Sequence, residues 1–134
     1  VANEARLGID VRAESKEEQQ RIDEFFEEID SENERIEIFV EGGINRPPME
    51  KTEKSEELFE IAQEKAEYLG FEVEEASVGG GSDGNFTSQI VRTLDGLGLV
   101  GEGIHAEHEH IKKAHIAERF ALLTNTVLEV IEEL

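Results

Sequence analysis

The chain has 134 residues, 33 of them Asp or Glu against 13 Lys or Arg, and a formal charge of −20. That length holds one ordinary domain or two small pieces, and so acidic a surface repels phosphate backbones, which excludes nucleic acid as a partner. No apolar run approaches the roughly 18 residues of a membrane span, no secretory signal is present, and with no cysteine there is neither a disulfide framework nor a thiolate site. A reducing cytoplasm suits such a chain, and the absence of an initiator Met before Val1 raises the expectation of a truncated polypeptide.

Leu7, Ile9 and Val11 alternate with Gly8, Asp10 and Arg12, the period-two pattern of a half-buried strand. Ser15 and Glu18 have capping-box spacing. Ile22, Phe25, Phe26 and Ile29 then predict a helix with one apolar stripe and an acidic outer face. Asp30 to Asn33 breaks that pattern, and Ile36, Ile38 and Val40 resume a strand. Residues 6–40 therefore read as strand, helix, strand. Gly42, Gly43, Pro47 and Pro48 continue neither element, because proline removes an amide donor and fixes φ, so a boundary is expected near residue 45.

Leu58, Ile61, Ala62, Ala66 and Leu69 predict a second helix that starts near Thr52 and stops at Gly70. Phe71, Val73, Ala76 and Val78 predict a short strand leading into a glycine-rich loop, Gly79 to Asn85. One helical turn over 86–89 and a strand over 90–94 follow. A second glycine-rich stretch over 95–104 leads to His105, His108, His110 and His115. The last helix carries Ile116, Phe120, Leu123, Val127, Ile131 and Leu134 as its apolar stripe.

Three features could carry chemistry. Imidazole is a common metal ligand, and His105, Glu107, His108, Glu109 and His110 crowd nitrogen and carboxylate donors together. The helical His-Glu-x-x-His arrangement is absent, because Lys112 holds the second histidine position counted from His108. For His108, His110 and His115 a solvated polar surface is the better reading. For His105, which follows a glycine loop that can aim it into a cleft, solvated loop and metal ligand stand side by side. The Gly79–Asn85 loop can bring backbone amides close to an anion or a carbonyl oxygen, with Ser82, Asp83 and Asn85 beside them, or it is only a tight strand-to-helix turn. Arg46, a rare cation between a glycine pair and two prolines, can grip a carboxylate bidentately or serve an ordinary internal ion pair. The glutamate pairs at 17–18, 27–28, 56–57, 74–75 and 132–133 read as solvated faces.

In order, Leu7-Gly-Ile-Asp-Val-Arg12, Asn45-Arg-Pro-Pro-Met49, Gly79-Gly-Gly-Ser-Asp-Gly-Asn85, Leu94-Asp-Gly-Leu-Gly98 and Gly103-Ile-His105 with Glu109 resemble one family. It is the dinuclear-zinc carboxypeptidase and aminoacylase family, which includes glutamate carboxypeptidase, acetylornithine deacetylase and succinyl-diaminopimelate desuccinylase. The likeness runs through nearly the whole chain but covers only the closing portion of such an enzyme.

The resemblance implies an α/β fold. Residues 1–44 would be the strand-helix-strand half of a lid and dimerisation domain, and 45–134 the C-terminal part of the catalytic domain. It implies that His105 is a zinc ligand with Glu109 behind it, and that Arg46, Gly81 and Ser82 contact a peptide or N-acyl amino acid substrate. The reaction implied is metal-assisted amide hydrolysis with a glutamate as general base. The remaining metal ligands and that base are not in this sequence, which also reads Ile90-Val-Arg-Thr93 where the family has a Gly-Pro turn. The expectation is a C-terminal fragment, catalytically silent alone and able to form a homo-oligomer through an exposed sheet edge. The alternative is a non-catalytic acidic binding module that keeps the scaffold.

Overall fold

The structure, a computed structural model, describes residues 3–133. Its elements in chain order are α1 (Lys16–Glu28), α2 (Glu53–Leu69), the short α3 (Gly84–Thr87), β1 (Gly101–Glu102), β2 (His110–Ile111) and α4 (Ile116–Glu132), with a 3-10 turn (Lys113–His115) leading into α4. Helix and strand are both present, as in an α/β chain, although the described ladder is a single antiparallel pair that sets Gly101 opposite Ile111 and Glu102 opposite His110.

The core is the contact of α2 with α4. Leu58, Ala62 and Ala66 recur every four residues on α2, one above another on a single face, and meet Leu122 and Thr126, one turn apart on α4. Ala62 and Ala66 are almost fully buried, so two methyl-sized side chains form a flat surface that Leu122 enters without exposure. Lys65 closes the rim with a 2.6 Å ion pair to Glu129. Helix α2 begins as the sequence predicts, with Thr52 and Ser55 capping each other reciprocally. It ends in a Schellman motif: Gly70 is left-handed at φ 89°, its amide donates to the Glu67 carbonyl, and the Phe71 amide donates to the Ala66 carbonyl.

The stripe expected on α4 is not the buried one. Ile116, Phe120, Leu123, Val127 and Ile131 are exposed, and Leu134 lies outside the described residues. Residues 120–131 are apolar on more than one face, so periodicity alone could not choose between them. The flat alanine surface of α2 accepts Leu122 instead.

Helix α1 starts at Ser15, whose Oγ accepts from the Glu18 amide at 3.1 Å. The reciprocal half of the expected capping box is missing, because the Glu18 carboxylate turns outward to Arg21 at 2.6 Å. Among the described residues no side chain of α1 is buried and α1 packs against no other element; Ile22 and Phe26 are half-buried, while Phe25 and Ile29 are exposed. Its anchors are polar: the Lys16 amide donates to Glu50, and the Gln19 side chain donates to the Arg46 carbonyl.

The segments expected as strands at 6–12, 36–40 and 71–78 carry no ladder among the described residues. Their apolar residues stand largely exposed, with Leu7, Ile38 and Val78 in solvent, and the segments border one concavity of about 3580 Å³. Period-two patterning marks a face to be covered; it does not supply the neighbouring backbone that makes a strand. The strand expected over 90–94 is replaced at its start by a turn, since the Thr87 carbonyl accepts from both the Ile90 and Val91 amides.

Two predictions follow from this packing. The Thr126 hydroxyl is buried without a hydrogen-bond partner, so Thr126→Val, which keeps the shape, raises stability by about 1 kcal/mol in a urea titration followed by circular dichroism. The hydrogen bond from Arg21 holds the Glu18 carboxyl below its ordinary value, and Glu18 in turn raises the Arg21 guanidinium. That contribution is present above the ordinary glutamate pKa and is lost as pH falls through the lowered value. Protection factors of the α1 amides, taken relative to intrinsic exchange at each pH, accordingly fall on acidification, and Arg21→Ala lowers them in the same way at neutral pH.

Candidate functional site

The glycine loop is built by short-range hydrogen bonds that leave its first residues extended. The Ser82 amide donates to Asn85 Oδ1 at 2.9 Å, and Ser82 Oγ accepts from the Gly84 amide at 2.9 Å, an arrangement that winds the chain into α3. Asn85 Nδ2 then donates to the Pro47 carbonyl at 2.9 Å, and Gln89 Nε2 to the Pro48 carbonyl at 3.0 Å. Pro48 itself is buried. The proline segment, which has carbonyls but no amides to offer at 47 and 48, is therefore the shelf on which the loop rests.

Arg46 projects from this shelf onto the loop. Its guanidinium carbon lies 5.2 Å from the centre of the Phe86 ring, a cation–π arrangement. On its other side is Gly81, where a Cβ would stand 3.0 Å from Arg46 Nη1. Glycine at 81 thus gives Arg46 room to lie close, and a Cβ there would make the guanidinium give way by a few tenths of an ångström. No carboxylate is paired with Arg46 among the described residues, so the internal ion pair left open by the sequence is not formed there. Arg46, Gly81 and Ser82 all border the large concavity together.

Sequence reasoning missed Arg12. Its guanidinium donates to the Gly79 carbonyl and lies 3.4 Å from Asp10, so a second cation flanks the same loop. The one available signal was an arginine at the polar position of an alternating segment in a cation-poor chain. The loop is flanked by Arg12, which is paired with Asp10, and by Arg46, whose guanidinium suits a carboxylate or a polarised carbonyl, within a concavity lined by more acids than cations.

His105 lies elsewhere, in the 103–109 connection of the β1–β2 hairpin, and neither it nor Glu109 borders that concavity. It is the only non-glycine with positive φ, at 66°, among the described residues. The Ala106 amide donates to the Gly103 carbonyl and the Glu109 amide to the Ala106 carbonyl, so two tight turns fix the loop. Glu109 makes no hydrogen bond or ion pair with His105 among the described residues. The other histidines have local partners: a Cβ on Gly103 would strike the His108 ring, His110 Nδ1 meets the His108 carbonyl, and His115 lies 3.3 Å from Glu118. They serve the hairpin and the start of α4.

Zinc asks for three or four convergent donors. Among the described residues no group of three or more His, Asp or Glu side chains is placed to hold a metal ion. His105 alone does not fit a dinuclear site.

The hairpin that carries His105 gives a direct test. A Cβ on Gly101 would collide with the His110 carbonyl oxygen. Gly101→Ala therefore breaks the ladder, and exchange of the Lys112 amide, which donates to the Val100 carbonyl at 2.9 Å, accelerates while exchange in α2 does not.

The profile of one protein family matches residues 3–129, almost the full length of the chain. No curated protein and no solved structure matches it. The match spans the extended segments, the proline shelf, the glycine loop and the His105 hairpin together, and the chain belongs to the peptidase family M20/M25/M40.

Proposed function

We propose that this chain is the substrate-carboxylate and single-histidine part of a metal-dependent peptidase or deacylase that cleaves the amide bond of peptides or N-acyl amino acids. The observation that carries this reading is the glycine loop with Arg46 laid against Gly81 and held by Phe86. Membership in a peptidase family supplies the reaction class. In this reading Arg46 grips the substrate carboxylate, Arg12 steadies the loop through the Gly79 carbonyl, and the Gly81 and Ser82 region receives the substrate backbone.

Zinc is the metal proposed, with His105 as one nitrogen ligand and Glu109 behind it. The other ligands and the general base belong to polypeptide outside this sequence. The chain alone is then catalytically silent. Residues 1–44 act as a lid portion and 45–134 as a catalytic-domain portion, in agreement with the exposed apolar residues of the 6–12 and 36–40 segments. The reading further places the protein in the cytoplasm, with which its lack of cysteine is compatible; among the described residues no helix is long and apolar enough to cross a membrane. Uncovered segments also leave room for a homo-oligomer.

Titration of isotope-labelled chain with N-acetylglycine, and with its amide as a neutral control, tests the site by NMR. The carboxylate shifts the Gly79–Ser82 amides and the Arg46 Nε–H resonance, and Arg46→Gln weakens binding by about tenfold or more, ~1.4 kcal/mol. An equal response to the amide, or an undiminished response in Arg46→Gln, overturns the assignment. Zinc binds weakly and singly, and His105→Ala abolishes it. Turnover of N-acyl amino acids by the purified chain would refute its silence. Zinc binding unchanged in His105→Ala, with no carboxylate response, favours the acidic binding module instead.

A further inference from the structure

We propose that Gln19 is the positioning residue for Arg46: it fixes the backbone from which the guanidinium reaches over the glycine loop. The inference rests on Arg46 gripping a substrate carboxylate. Residues 44–48 make no backbone–backbone hydrogen bond among the described residues. Carboxamide side chains hold them instead. Three successive carbonyls each accept from one: Arg46 from Gln19 Nε2 at 3.1 Å, Pro47 from Asn85 Nδ2 at 2.9 Å and Pro48 from Gln89 Nε2 at 3.0 Å. Asn85 and Gln89 belong to α3 and the turn that follows it, on the side of the glycine loop. Gln19 belongs to α1, 27 residues from Arg46 in the chain.

The peptide unit between Arg46 and Pro47 has a single polar group, the Arg46 carbonyl, because proline has no amide hydrogen. Gln19 is the partner of that group. Pro47 confines ψ of Arg46 to extended values, and Gln19 fixes the peptide plane from which that ψ is measured. Together they set the direction of the Arg46 Cα–Cβ bond. On the other side of Arg46 nothing comparable acts, since Gly42 and Gly43, at φ 140° and 151°, allow the chain to arrive from many directions. The direction matters because the guanidinium has little latitude. A Cβ on Gly81 would stand 3.0 Å from Nη1, and the Phe86 ring centre lies 5.2 Å from the guanidinium carbon. The neighbouring Gln20 supplies an internal comparison: it has the same side chain on the same helix but donates to Glu24 at 2.8 Å. If Gln19 only anchored α1, its loss would be felt in α1 and not at the Arg46 side chain.

NMR of the full isotope-labelled chain tests this, with N-acetylglycine as the probe. Gln19→Met keeps the length of the side chain and removes the donor, and Gln20→Ala is the control. Without ligand, Gln19→Met moves the Arg46 carbonyl carbon resonance upfield and weakens the nuclear Overhauser contact between the Arg46 side chain and the Phe86 ring. The helical shifts of α1 and α2 stay as in the parent. Affinity for N-acetylglycine falls by about fivefold, the size of one net hydrogen bond, and Gln20→Ala changes none of these. An Arg46–Phe86 contact unmoved in Gln19→Met, an undiminished affinity there, or equal losses in Gln20→Ala overturns the proposal. A parent that binds no carboxylate removes the role given to Arg46, and the Arg46–Phe86 contact of the ligand-free chain then decides for or against Gln19 by itself.

Discussion

The long helix–helix contact of the described residues rests on two alanines. Ala62 and Ala66 let the backbone of α2 come near enough to α4 for Leu122 to vanish from solvent, and among the described residues that contact is the one place where two long helices pack. Small residues act here by subtraction: a methyl group adds little buried area, but it removes the obstacle that would hold two helices apart. Elsewhere the connections are polar. Lys51 joins the start of α2 to Glu75 at 2.9 Å, Arg119 of α4 clasps the Gly96 and Gly98 carbonyls, and the proline shelf takes hydrogen bonds from Gln19, Asn85 and Gln89. Such links fix direction more than they supply free energy.

The surface area shows how little of the chain is packed. The accessible surface is 11466 Å², whereas a compact monomer of this mass exposes about 7,000 Å². The excess is about 4,400 Å². It is spread over the 6–12 and 36–40 segments, α1 and the outer stripe of α4, where Leu7, Phe39, Phe120 and Ile131 stand in solvent.

Local signals in the sequence were legible where the physics is local. Ser15, Thr52 and Gly70 mark helix ends because caps are settled within a few residues, and each stands where it was expected. The glycine loop and Arg46 come together through long-range hydrogen bonds, from Asn85 to the Pro47 carbonyl and from Gln89 to the Pro48 carbonyl, which no local pattern registers. Strands were not legible as strands: alternation in Leu7, Ile9 and Val11 reports a face, while pairing depends on a neighbour that the alternation does not contain. The α4 stripe failed for the opposite reason, too many apolar residues for the period to discriminate. Arg12 went unread because its partner, the Gly79 carbonyl, carries no side chain for a pattern to register.

His105 shows what a strained turn accomplishes in an exposed place. Its backbone sits in a conformation that costs most residues free energy, and its ring has no packed neighbours to steer it. The direction of its Cα–Cβ bond is therefore written in the main chain, by the Gly103 carbonyl that catches Ala106 and by the short ladder that closes the loop. A histidine held in this way keeps the turn's backbone fixed while its ring stays free to rotate about χ1 and χ2.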